Sequence, residues 1–232
     1  IITSVPDALA TTARYLNSLG WVAGLPWGVE VRVPRDLASS NALERDHGCL
    51  ESTAPSTLCR GVAQWATAGV RRVDGSALLT SEAVGSSPWQ ADTRTALLMP
   101  AGIDGPAWLV TRNFQAAWRY NRADAYALAI GLLADRLRGD PAPRVAWPTD
   151  DQGLSRVEFV ELQTLLLRRG HCEVTADGRD GPRTRAAVAA EEAVQGWMPS
   201  GRGGAKLLSA LRAAVSGMPA PMPADCAASR PG

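Results

Sequence analysis

The chain has 232 residues, 46% of them hydrophobic, enough for a packed core and more than the about 100–150 residues of a common single domain. With 24 basic and 23 acidic residues its formal net charge is +1, which excludes a general electrostatic drive toward nucleic acid or an anionic membrane surface. The longest apolar run, Ala127 to Ala134, falls far short of the roughly 20 residues that span a bilayer, so no transmembrane segment is expected.

The start, Ile1-Ile2-Thr3-Ser4, has neither an initiator Met nor the basic and apolar regions of a signal peptide, and is expected to be the cut end of a fragment. Ser4 is a helix cap with Asp7 three residues on. Leu9, Ala13 and Leu16 then line one side, and Gly20 stops the helix. Val29, Val31 and Val33 alternate with Glu30 and Arg32 in a strand pattern closed by Pro34. From Arg35 to Gly69 the pattern weakens into a polar insert with two cysteines. Val70 to Gly75 reads as a short strand and turn, and Ala107 to Val110 as a further apolar strand.

Asn113 to Leu137 reads as helix, break, helix. Phe114, Ala117 and Trp118 lie at helical spacing, and a longer helix carries Tyr126, Ala127, Ile130, Leu133 and Leu137. On the residues alone, Asn121 caps the second helix, with Asp124 in its first turn.

Further on, Ser155 and Glu158 form a capping box that opens a helix bearing Val157, Phe159, Val160, Leu162, Leu165, Leu166 and Leu167, and ending at Arg168-Arg169-Gly170. Asp177-Gly178 and Asp180-Gly181 are turn dipeptides, Pro182 suits a first helical position, and Ala186, Ala187 and Val188 begin an apolar face that runs on to Gly196. A third run, Ala205 to Val215, repeats Leu207, Leu208, Leu211 and Val215. Residues 155–216 thus give three short helices with tight glycine turns.

The four cysteines are an even set. The pairing 49–59 and 172–226 is the most local of three connectivities. Metal ligation competes poorly: neither pair has Cys-x-x-Cys spacing, and His47 and His171 lie in separate regions. An oxidising compartment is expected, with no metal or cofactor.

Two resemblances organise these elements. The order of turns, helices and glycines over 155–216 resembles the three-helix peptidoglycan-binding domain, with one departure: Glu191-Glu192 stands where that family usually has an aromatic followed by Gln. Ser4 to Leu16, Gly20-Trp21, Trp27-Gly28-Val29-Glu30-Val31, Gly105-Pro106-Ala107-Trp108-Leu109, Asn113-Phe114 and Arg119-Tyr120-Asn121 resemble, in order, the membrane-bound lytic transglycosylase B family.

Together they imply a mainly α fold with small β elements. Residues 1–139 would form the C-terminal part of a lysozyme-like transglycosylase domain and 140–154 a linker. The binding module would occupy 155–216 and a tail 217–232.

The implied activity is cleavage of the β-1,4 bond between N-acetylmuramic acid and N-acetylglucosamine without water. One Glu protonates the leaving oxygen, and the muramyl 6-hydroxyl closes a 1,6-anhydro ring. This departs from the two-carboxylate arrangement of most glycosidases. The family's Tyr-Asn-x-Ser-x-x-Tyr motif falls on Tyr120, Asn121, Ala123 and Tyr126, matching all but the serine. By resemblance the tyrosines pack near acid and sugar and Asn121 hydrogen-bonds substrate.

The family's catalytic Glu motif and its Gln-Phe-Met-Pro-Ser motif precede the matching segment and do not occur here, so the acid is expected upstream of Ile1. Glu30, then Glu51 and Glu82, are remote substitutes. The expected partner is peptidoglycan glycan strands, and the expected location the periplasm or cell envelope. A non-catalytic wall-binding protein and a structural remnant are the alternatives.

Overall fold

A computed structural model describes residues 4–41, 48–50, 59–79, 89–216 and 226, and divides the chain into two compact units. The first comprises 1–37, 45–100 and 106–146; the second comprises 38–44, 101–105 and 147–232. His47, Glu51, Glu82 and the tail apart from Cys226 lie outside the described residues.

The first unit opens with α1 (Val5–Ser18), capped by Ser4, whose hydroxyl accepts the N–H of Asp7 at 3.4 Å. None of the residues of α1 is buried. Leu9, expected on a covered side, is exposed. The central layer is a sheet of β1 (Gly28–Arg32), β2 (Cys59–Gly61), β3 (Arg71–Arg72), β4 (Arg94–Leu98) and β5 (Ala107–Val110), in the order β2-β4-β5-β1-β3 with every neighbouring pair antiparallel. All four residues of β5 are buried. A central strand covered on both faces reads as a continuous apolar run rather than an alternation. Pairing sets Val29 opposite Leu109 and Ala96 opposite Val110. A short helix, α2 (Arg35–Asn41), a 3₁₀ turn at Gly48–Leu50 and α3 (Val62–Thr67) fill the insert, and a disulfide joins Cys49 to Cys59.

Against the sheet lie α4 (Arg112–Asn121) and α5 (Asp124–Arg138). The core gathers Trp27, Leu98, Trp108, Val110, Phe114, Ala127 and Leu128. Two fully buried polar side chains seat α4. Thr111 caps it through the N–H of Asn113 and donates its hydroxyl to the Pro26 carbonyl at 2.6 Å. Asn113 accepts the Val22 N–H at 2.7 Å and donates to the carbonyls of Val22 and Leu25. Each buried polar atom so paired avoids a desolvation cost of about 1–3 kcal/mol.

The second unit contains α6 (Arg156–Arg168), α7 (Pro182–Val194) and α8 (Ala205–Val215). The reciprocal box of Ser155 and Glu158 starts α6, and Pro182 stands at the first position of α7. Leu162, Leu166, Val188, Leu207, Leu208, Leu211 and Val215 form its core, while Val157 is exposed. Gln163, fully buried in the middle of α6, shares the two N–H groups of its amide among the Asp177 carboxylate, the Arg179 carbonyl and the Thr184 hydroxyl, and accepts the Gly178 N–H at 2.8 Å. One amide thus holds the whole 177–184 turn. A disulfide joins Cys172 to Cys226, so the most local connectivity is the one formed.

Candidate functional site

The sequence contains three tyrosines, and the fold brings all of them together on the surface of the first unit. Tyr15 comes from the last turns of α1, Tyr120 from the end of α4 and Tyr126 from the first turn of α5. Arg122 makes the juxtaposition possible: its left-handed backbone, φ 52°, breaks the helix and turns the chain back within a few residues. Tyr120 and Tyr126 then stack, centroids 5.8 Å apart and planes 10° apart, while Tyr15 meets Tyr120 edge-on at 6.0 Å. Tyr120 is 59% exposed and Tyr15 45%. Exposed rings with hydroxyl tips offer a sugar both an apolar face and hydrogen-bonding groups.

Asn121 sits beside this array as the last residue of α4, exposed to solvent. It does not cap α5. Ala123 holds that position, without a side-chain hydrogen bond, because the left-handed turn at Arg122 shifts the helix start. Tyr15 was missed by the sequence reading, although its place one turn before Gly20 in the matching N-terminal segment was a usable signal.

Two carboxylates of the first unit, Glu30 and Asp135, are tied into the fold. Glu30 accepts the backbone N–H groups of Arg144 and Val145, at 3.0 Å each, and so anchors the chain after α5 rather than standing free as an acid. Asp135 is held above the usual carboxylate range by desolvation, partly offset by the hydrogen bond from the Trp27 indole, 2.8 Å, and by the charge of Arg138. It is committed to those two partners. Among the described residues no group of acidic, histidine or cysteine side chains is arranged to hold a metal ion, and no helix is long and apolar enough to cross a membrane.

A family model described as the transglycosylase SLT domain matches residues 1–135 of the 232. The chain belongs to the transglycosylase SLT family.

The solved structures place this family member near SltB3 from Pseudomonas aeruginosa. The complex of SltB3 with NAG-anhNAM-pentapeptide is 40% identical over 91% of this chain and 51% of that chain, with a TM-score of 0.74. The complex of SltB3 with NAG-NAM-pentapeptide gives the same identity and coverage with a TM-score of 0.75. The chain spans about half the length of SltB3. No curated protein matches it.

In the second unit the Glu191-Glu192 pair has a structural explanation. Both side chains are buried and fully engaged. Glu191 accepts from Arg169 at 3.1 Å and lies 2.9 Å from Nε2 of His171. Glu192 accepts the N–H groups of Ser200 and Gly201, and the Ser200 hydroxyl at 2.6 Å, which folds the loop after α7. The two carboxylates hold the chain rather than face outward.

Proposed function

We propose that this chain forms the tyrosine-bearing flank of a peptidoglycan lytic transglycosylase resembling the membrane-bound B type. It would cleave the bond between N-acetylmuramic acid and N-acetylglucosamine with closure of a 1,6-anhydro ring. The observation that carries the reading is the SLT match over residues 1–135, within which the tyrosine array lies. The likeness to SltB3, solved with an anhydro-muramyl ligand and with its unreacted counterpart, supports the same chemistry.

In this reading Tyr120 and Tyr126 line the glycan cleft, Asn121 hydrogen-bonds substrate, and Tyr15 extends the aromatic surface. The proton donor is the family's Glu, supplied from outside residues 1–232. Such an acid works when a poorly solvated cleft keeps it protonated near neutral pH, and aromatic walls provide that environment. Residues 155–216 act as the peptidoglycan-binding module, in the periplasm or cell envelope.

The test is a chimera in which this chain replaces the matched half of SltB3. Incubated with purified sacculi, it releases 1,6-anhydro-muropeptides, recognised by mass as one water lighter than hydrolytic products. The unfused chain releases none. A folded chimera that yields only reducing-end muropeptides overturns the proposal, as does release by the unfused chain of anhydro products, which would place the acid within it.

A further inference from the structure

The second unit contains a cavity of about 320 Å³ beside the start of α8, and most of its polar lining is already committed to the fold. Glu192 is spent on the 200–201 backbone and the Ser200 hydroxyl. Asp151 takes the Lys206 N–H on one oxygen and the Arg202 guanidinium on the other. What faces solvent is Asp104 and one close pair, Lys206 and Asp150, 3.0 Å apart, with side chains 56% and 71% exposed. Beside it the wall is apolar: Trp197, 36% exposed, Met198 and Pro148.

The charges select the ligand. Four carboxylates, Asp104, Asp150, Asp151 and Glu192, line the cavity against the two cations Arg202 and Lys206, so a simple anion is repelled. A simple cation meets Lys206. Since Coulomb energy falls with distance, a ligand that gains from both members of a pair 3.0 Å apart must carry its own opposite charges equally close together. An α-amino-acid zwitterion, ammonium and carboxylate on one carbon, has that form. Lys206 keeps two donors and Asp150 most of its lone pairs after pairing with each other, so neither must be stripped to receive it.

We infer that this cavity binds a peptide through an unsubstituted α-amino-acid zwitterion, Lys206 taking its carboxylate and Asp150 its ammonium, with the adjoining chain lying on Trp197. The choice of peptide rests on the peptidoglycan reading above: an uncrosslinked stem peptide ending in a diamino diacid carries this group, and crosslinking removes its ammonium. The site therefore distinguishes open from crosslinked stems.

The experiment titrates the full chain, by NMR or calorimetry, with L-alanyl-γ-D-glutamyl-meso-diaminopimelate, with the same tripeptide acetylated on its distal amine, and with chitotetraose. Saturable binding is expected for the free tripeptide, weakened about tenfold or more by acetylation and by Lys206→Met or Trp197→Ala, with unchanged melting temperatures. Absence of saturable binding, equal affinity for the acetylated tripeptide, or variants that bind as the parent does would each overturn the site. Retention of the chain on sacculi stripped of stem peptides separates the two readings. If it persists while the tripeptide fails, this site falls and the peptidoglycan reading stands; loss of both overturns both.

Discussion

Replacing Gln163 by methionine, a side chain of similar length and shape, deletes two N–H donors and one acceptor at once without opening a large cavity. The partners are the Gly178 N–H, the Arg179 carbonyl, the Asp177 carboxylate and the Thr184 hydroxyl. Three of these contacts are part-buried, so water can replace some of what is lost. At about 0.5–1.5 kcal/mol each, the total comes to about 3 kcal/mol. For a unit of this size, with about 4–8 °C per kcal/mol, the α6–α8 transition should fall by about 12 °C or more.

Calorimetry of the full chain gives the melting temperature, and amide exchange in α6 and α7 assigns the transition. Gln163→Glu adds a check of sign. It retains an acceptor for Gly178 but sets a second carboxylate against Asp177, whose own pKa is lowered chiefly by the Arg179 N–H. Burial and that neighbour push the new group above the usual glutamate value of about 4.3. Its contribution is therefore present below about pH 4 and lost as pH rises through the folded value. The deficit relative to the parent must widen from pH 4 to pH 7. A Gln163→Met protein melting within about 3 °C of the parent would refute the accounting.

Four further outcomes are expected. Gly131→Ala should destabilise despite the better helix former, since its Cβ would lie 2.5 Å from the buried Trp27 ring; overpacking of about 1–3 kcal/mol exceeds a propensity gain of about 1, and the penalty should shrink in a Trp27→Phe background. In the SltB3 chimera, Asn121→Asp should lower turnover about tenfold or more with little change in melting, because Asn121 caps no helix; unchanged turnover would remove it from the cleft. Cys226→Ser, which opens a disulfide closing 54 residues, should cost about 2–4 kcal/mol by denaturant unfolding. Glu161, lowered by the hydrogen bond and charge of Arg212, stabilises above the ordinary glutamate pKa and ceases to do so as pH falls through its folded value, so Glu161→Gln should flatten the acid limb of the melting curve.

Much of this architecture was legible in local sequence. The caps at Ser4 and Ser155, the proline opening α7 and the glycines ending helices act within a few residues, and the fold realises each. What escaped depends on distant neighbours. β2 and β4 are fixed by pairing Cys59 with Ala96, and neither segment alternates clearly enough to announce itself. Gln163 looks like an interruption of an apolar face until the 177–184 turn closes over it. The reading of Asn121 as a cap failed because a non-glycine residue, Arg122, takes the left-handed turn and moves the helix start by two residues. The Glu191-Glu192 pair reads in the sequence only as a departure from the resembling family, because its partners, Arg169, His171 and Ser200, lie on other segments.

The contact of Asp151 with the start of α8 bears on how such a module travels between proteins. Gly204 lies so close that a Cβ there would fall on the Asp151 carboxylate, and Ala205 donates its N–H to the Gln152 carbonyl. A gene fusion joined at Ser155 would inherit three intact helical sequences and yet leave α8 with an open end, its glycine facing nothing. A join a few codons earlier carries the missing carboxylate along. Selection for a working cassette thus extends into residues that a sequence profile would treat as spacer, and the breakpoints that survive shuffling should cluster ahead of Asp150.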